Sequence, residues 1–133
     1  MNLLNALLGS ASELEPAELQ RQLEPILAVN ETVLCGFKTV RDLFVFTHVR
    51  LIFIDKQGIT GKKVSYHSIP YRNITQFAVE TAGHFDMDAE LKIWVSSGGA
   101  PIDRRLRRGT DVTRVQKLLA QCIMPQVDAK TGH

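Results

Sequence analysis

From Thr32 to Arg107 the apolar residues recur at alternate positions, a period of two that a helix cannot use and a half-buried strand requires. The middle of this chain must therefore fold into sheet. The period marks about seven strands: Val33–Val40, Asp42–Thr47, Arg50–Asp55, Lys63–Ile69, Ile74–Thr81, Asp86–Ser96 and Ile102–Arg107. Turn chemistry separates them, at Lys56-Gln57-Gly58, Ile69-Pro70, Gly83 and Ser97-Gly98-Gly99. Helical spacing flanks the strands. Leu3, Leu4, Leu7 and Leu8 form one short helix, and Leu19, Leu23, Ile26 and Leu27 line a second that opens at Pro16 and is kinked or ended by Pro25. A last helix over Val112–Ile123 is capped by Thr110 or Asp111 and stopped by Pro125. The expected organisation is a helical hairpin over 1–30, a β body over 31–124 and a tail over 125–133.

Two strands break the alternation. Leu43-Phe44-Val45-Phe46 and Leu51-Ile52-Phe53-Ile54 are apolar on both faces, whereas an antiparallel strand at a monomer's surface usually keeps one face wet. Something covers the outer side of this hairpin, either the amino-terminal helices or another subunit. Asp86–Ser96 alternates cleanly instead, and places Trp94, the single tryptophan, on its polar face. A two-residue loop at Gly98-Gly99 would pair Ser97 with Ala100, Trp94 with Asp103, Lys92 with Arg105 and Glu90 with Arg107.

At 133 residues, 44% of them hydrophobic and 23% charged, the chain is long enough for one core and too apolar to stay disordered. No apolar run reaches membrane-spanning length, and Met1–Ser10 lacks the basic start of a secretory signal. Cys35 and Cys122 form neither a disulfide framework nor a zinc motif, which fits a reducing cytoplasm. The formal net charge of +2 is small but uneven. Residues 1–37 hold five glutamates against Arg21 alone, a balance of −4; the remainder holds 15 Lys or Arg and 9 Asp or Glu, a balance of +6. An acidic arm on a basic body implies contact between subunits, or docking of the arm on its own body.

Strands followed by one carboxy-terminal helix is the order of a pleckstrin-homology (PH) fold, and the residues themselves extend the likeness. Arg41-Asp42-Leu43-Phe44-Val45-Phe46-Thr47, Arg50-Leu51-Ile52 and Asp55-Lys56-Gln57-Gly58-Ile59-Thr60-Gly61-Lys62-Lys63 resemble the bacterial PH-domain family. Ser68-Ile69-Pro70-Tyr71, Glu80-Thr81-Ala82-Gly83 and Phe85-Asp86-Met87-Asp88-Ala89-Glu90-Leu91 do the same. The resemblance implies a mainly β fold, a PH-like seven-stranded antiparallel barrel or orthogonal sandwich with a capping helix. It further implies a stand-alone protein that forms ring-shaped homo-oligomers. It implies no particular ligand.

Arg104, Arg105, Arg107 and Arg108, with Lys62 and Lys63, are the candidate anion or lipid patch. Each basic residue near an anionic membrane contributes about 1 kcal/mol. The four arginines thus amount to roughly millimolar binding, which only display in many copies would strengthen. Where phosphoinositide-reading PH domains cluster cations, this chain has Lys38 and Arg41 beside Asp42, a poor cradle for several phosphates. Asp86, Asp88 and Glu90, with Glu80, lack the loop oxygens of a calcium site. The histidines His48, His67, His84 and His133 show no ligand spacing, Gly58–Lys63 lacks the phosphate-loop pattern, and Cys35 alternates like a buried thiol.

The expected protein is a non-catalytic, self-assembling interaction module with a protein or peptide client, and no cofactor, metal or nucleic acid. Its expected interface draws on Leu4, Leu8, Leu43, Phe44, Phe46, Leu51, Phe53 and Trp94. The alternative is a peripheral binder of anionic membranes through the arginine strand.

Overall fold

The computed structural model describes residues 12–57, 62–81 and 88–124. Five antiparallel strands form one sheet in chain order: β1 (Glu13–Leu14), β2 (Val33–Lys38), β3 (Leu43–Thr47), β4 (Arg50–Gln57) and β5 (Lys63–Pro70). Three more form a second: β6 (Ile74–Thr81), β7 (Ala89–Val95) and β8 (Ile102–Leu106). Helix α1 (Pro16–Leu23) lies between β1 and β2, and helix α2 (Val112–Ile123) follows β8. The expected strands are all present; β4 and β5 run one or two residues longer, β6 keeps its ends, the others are shorter, residues 86 and 87 of the expected sixth strand lie outside the described residues, and β1 is an addition. Among the described residues the sheets do not close into a barrel. Among the described residues one bridge joins them, Thr39 with Leu106, where the Val40 N–H donates to the Arg105 carbonyl at 2.9 Å.

The two-sided hairpin is covered by this chain itself. Phe44, Phe46, Leu51 and Phe53 face the space between the sheets, which α2 closes with Val115 and Leu119. Leu43, Val45, Ile52 and Ile54 face the other way, under Leu19 and Leu23 of α1. Leu43, Phe44, Phe46, Leu51 and Phe53 are at most 1% exposed, so the expectation that they meet a neighbouring subunit is corrected: they are core. Fully burying such side chains contributes about 1.5–3 kcal/mol each, and the chain's own helices supply that burial. Leu4 and Leu8, with the first expected helix, lie outside the described residues.

Two details of β2 allow α1 to sit so close. A bulge between Val33 and Cys35 turns Val33 toward α1 and Cys35 toward the opposite core. At Gly36 a Cβ would lie 2.5 Å from Leu19 Cδ1, so the helix rests on bare backbone. Pro25 ends α1 in a 3-10 turn, Glu24–Ile26, rather than kinking a longer helix. At the other end of the chain Asp111 is the cap of α2, its Oδ1 accepting the Arg114 N–H at 3.1 Å.

The acidic arm docks on its own body. The Glu13 carboxylate accepts the Arg114 Nε–H at 2.9 Å from α2. Glu31 is 4% exposed and accepts from Arg50 Nε at 2.8 Å, Thr47 Oγ1 at 2.6 Å and the Ala28 N–H at 2.9 Å.

The β7–β8 hairpin differs from its expected register by two residues. Glu90 pairs with Arg105, Lys92 with Asp103, and Ile93 with Ile102 closes the ladder. The chain turns early because the Gly98 N–H donates to the Val95 carbonyl, and Pro101 has no N–H for the ladder. Gly98 and Gly99 still serve the loop, with φ of 85° and 88°. A shift of two preserves the faces, so Trp94 stays with the polar side chains, half-buried beside Gln76 of β6.

Candidate functional site: a mixed-charge groove

The corner where the sheets meet carries a cavity of about 810 Å³, between the Thr39–Asp42 turn, the end of β4 and the β7–β8 ladder. The turn is held by its own residues: Thr39 Oγ1 accepts the Asp42 N–H at 2.8 Å, and the Thr39 N–H donates to the Asp42 carbonyl at 2.9 Å. The Asp42 carboxylate accepts the Lys56 N–H at 2.8 Å, fastening the turn to β4. Arg41 is left exposed beside it.

Across the groove, Arg104 reaches from β8 to Asp55 on β4, with Nη2 at 2.7 Å from Oδ2 and Nε at 3.3 Å from Oδ1. Its guanidinium carbon sits 5.2 Å from the centroid of the Phe53 ring. An arginine held by a carboxylate in this two-point geometry and stacked on a ring is fixed in place. The lining carries Arg41, Lys56, Arg104 and Arg105 against Asp42, Asp55, Glu90 and Asp103, so its formal charges cancel.

The candidate anion patch is thereby divided. Strand alternation turns Arg104 inward, to Asp55 and Phe53, while Arg105 lies opposite Glu90 on the outer face. Arg107 is half-buried and already engaged, and Arg108 lies 3.5 Å from Asp88. Lys62 and Lys63 are exposed at the start of β5, Lys63 opposite Gln57. Lys38 is 1% exposed, and burial, with Arg107 nearby, lowers its pKa.

The remaining polar candidates are structural as well. Burial raises the Cys35 thiol to about 12, which leaves it protonated at neutral pH. His48 Nδ1 accepts the Thr32 N–H at 3.0 Å, and His67 is exposed on β5 opposite Phe53. Asp88 is spent on Arg108; Asp86, His84 and His133 lie outside the described residues. Among the described residues no three His, Cys, Asp or Glu side chains gather as metal ligands. No helix among them is long and apolar enough to cross a membrane.

Asp55 and Lys56 stand in a family-like segment of the sequence, where nothing gave them a role in a site. Asp55 stands 49 residues from Arg104, and only the meeting of two sheets brings them together. The hint available was a carboxylate ending an otherwise apolar strand.

Comparison with known proteins places these features in context. The family model described as "Bacterial PH domain" matches residues 2–123. The uncharacterized protein YjqA of Bacillus subtilis is 49% identical over 125 residues, covering 93% of this chain and all of that one. A solved pleckstrin homology domain from Shewanella amazonensis is 57% identical, with a TM-score of 0.75 over 92% of this chain and 99% of its own. A second structure, a protein with a pleckstrin-homology domain from Shewanella loihica, is 53% identical, with a TM-score of 0.76 over 87% of this chain and 99% of its own.

Proposed function

The chain belongs to the bacterial PH-domain family, and we propose that it works as a non-catalytic protein-interaction module that assembles with copies of itself in the cytoplasm and holds a polypeptide in the groove at its sheet corner. The balanced lining of that groove carries this reading. Four cations and four carboxylates across both sheets suit a polypeptide surface bearing both charges and offer no net attraction to a headgroup of concentrated negative charge. The buried thiol of Cys35 and the engaged ring of His48 supply no activated nucleophile or base, which favours binding over catalysis.

Self-assembly draws support from β5 and β6, which stand at the edges of their sheets among the described residues, the position from which a strand pairs with a neighbour. Among the described residues, Trp94, half-buried on the outer face of the second sheet, is the expected interface residue still open to a neighbour. The membrane alternative retains Lys62, Lys63 and Arg105, about 3 kcal/mol in all at an anionic surface, too little for one copy to bind.

A photo-crosslinking residue at Arg105 in living cells tests the groove directly, with exposed Gln116 on α2 as the control position. Discrete protein adducts from position 105 and none from 116 are expected. Equal labelling at both positions, or none at 105, overturns the assignment.

A further inference from the structure

The ties already made inside the groove sort its remaining charges by wall. Arg104 and Asp55 neutralise each other across it. Asp42 is 8% exposed and turns its carboxylate to the Lys56 N–H. Among the described residues the side chains of Arg41, Lys56, Glu90, Asp103 and Arg105 form no ion pair. Arg41 and Lys56 belong to the wall made by the Thr39–Asp42 turn and the end of β4. Glu90, Asp103 and Arg105 belong to the β7–β8 wall. Lys92 stands opposite Asp103 in the ladder, but its ammonium goes to Glu80 at 2.8 Å. With Asp42 counted, the first wall keeps a net positive formal charge and the second a net negative one. The groove is polarised.

Opposite charges on facing walls fix how a segment lies between them, because complementary charge sets the register and like charges in contact exclude the wrong one. An extended segment sends successive side chains to opposite sides. It meets both walls at once when an acidic and a basic residue are neighbours in its sequence. Val40, 53% exposed on the turn, gives the cationic wall an apolar contact as well. A uniformly acidic or uniformly basic segment satisfies one wall and is opposed by the other.

We propose, on the reading of the groove as a polypeptide site, that its occupant is an extended segment with an acidic and a basic residue at adjacent positions. The carboxylate lies on Arg41 and Lys56, and the cation on Glu90 and Asp103.

A library of short peptides displayed on phage, panned on the full chain and on wall variants, tests this. The parent is expected to enrich adjacent pairs of opposite charge. Arg41→Glu with Lys56→Glu makes both walls acidic and should enrich basic peptides; Glu90→Lys with Asp103→Lys makes both basic and should enrich acidic ones. A pair-bearing peptide should bind each of these variants roughly tenfold more weakly than the parent and regain its affinity when all four changes are combined. These positions are exposed or half-buried and Lys56 keeps the backbone N–H that Asp42 accepts, so the fold survives, as matching urea midpoints would verify. Enrichment without adjacent opposite charges, affinity indifferent to a wall reversal, or no enrichment overturns the inference. Crosslinking at position 105 separates this from the wider reading: adducts alongside any of those results leave the groove a polypeptide site of another specificity, and their absence removes both.

Discussion

Arg104 and Asp55 clasp the two sheets at the corner where a backbone bridge already joins them, with the guanidinium against the Phe53 ring. This pair decides how the arginine strand is used. One arginine of the strand is a tie between the sheets, and its neighbour Arg105 is an exposed side chain at the groove beside Glu90.

Arg104→Gln therefore destabilises the protein by about 1.5–3 kcal/mol, the range for hydrogen bonds to charged groups, because it leaves the partly buried Asp55 without its partner. Arg105→Gln stays within about 0.5 kcal/mol of the parent. Urea midpoints of the two variants, measured side by side, check the contrast.

Glu31 gives a pH dependence with a definite sign. Burial raises its pKa, but donation from Arg50, Thr47 and the Ala28 N–H outweighs that and holds it at about 2, below the ordinary 4.5. A carboxylate with a depressed folded pKa contributes stability fully above the unfolded value and loses it as pH falls through the folded one. Urea midpoints should fall between about pH 4.5 and 2, and Glu31→Gln should flatten that part of the fall while lowering the midpoint at neutral pH.

The seat of α1 on β2 is tested at Gly36. A valine there meets Leu19 and costs about 1–3 kcal/mol, as overpacking does. Leu19→Ala in the same chain should relieve part of that cost, so that the double variant is more stable than the two single effects predict. A double-mutant cycle by urea denaturation reads the coupling.

Thiol labelling probes the core under α2. Burial raises the pKa of Cys35 to about 12, and that of Cys122 is raised as well. Iodoacetamide at pH 8 should leave Cys35 unmodified in the native protein and label it readily in urea. Rapid native labelling of Cys35 would mean that α2 opens.

Much of this fold is legible in the residues, because a period of two or a short continuous apolar run marks every long strand. The two residues of β1 are too few to show a period, and their pairing with Phe37 and Gly36 is a tertiary fact. Leu43–Phe46 and Leu51–Ile54 correctly announce cover on both faces. What covers them depends on how α1 folds back, which two buried leucines, Leu19 and Leu23, cannot specify from spacing alone. The Gly98-Gly99 pair marks the loop but misplaces the register by two, since the Val95–Gly98 turn and Pro101 act together. The groove is the least legible feature, as it is assembled from four separate segments whose charges look ordinary in the chain.

Liposome flotation with anionic and neutral vesicles at two salt concentrations, with light scattering on the same sample at tens of micromolar protein, tests the central claim most directly. A self-assembling protein-binding module scatters as a multimer and floats with neither vesicle. Salt-sensitive flotation with anionic vesicles alone, or scattering from a monomer, would contradict it.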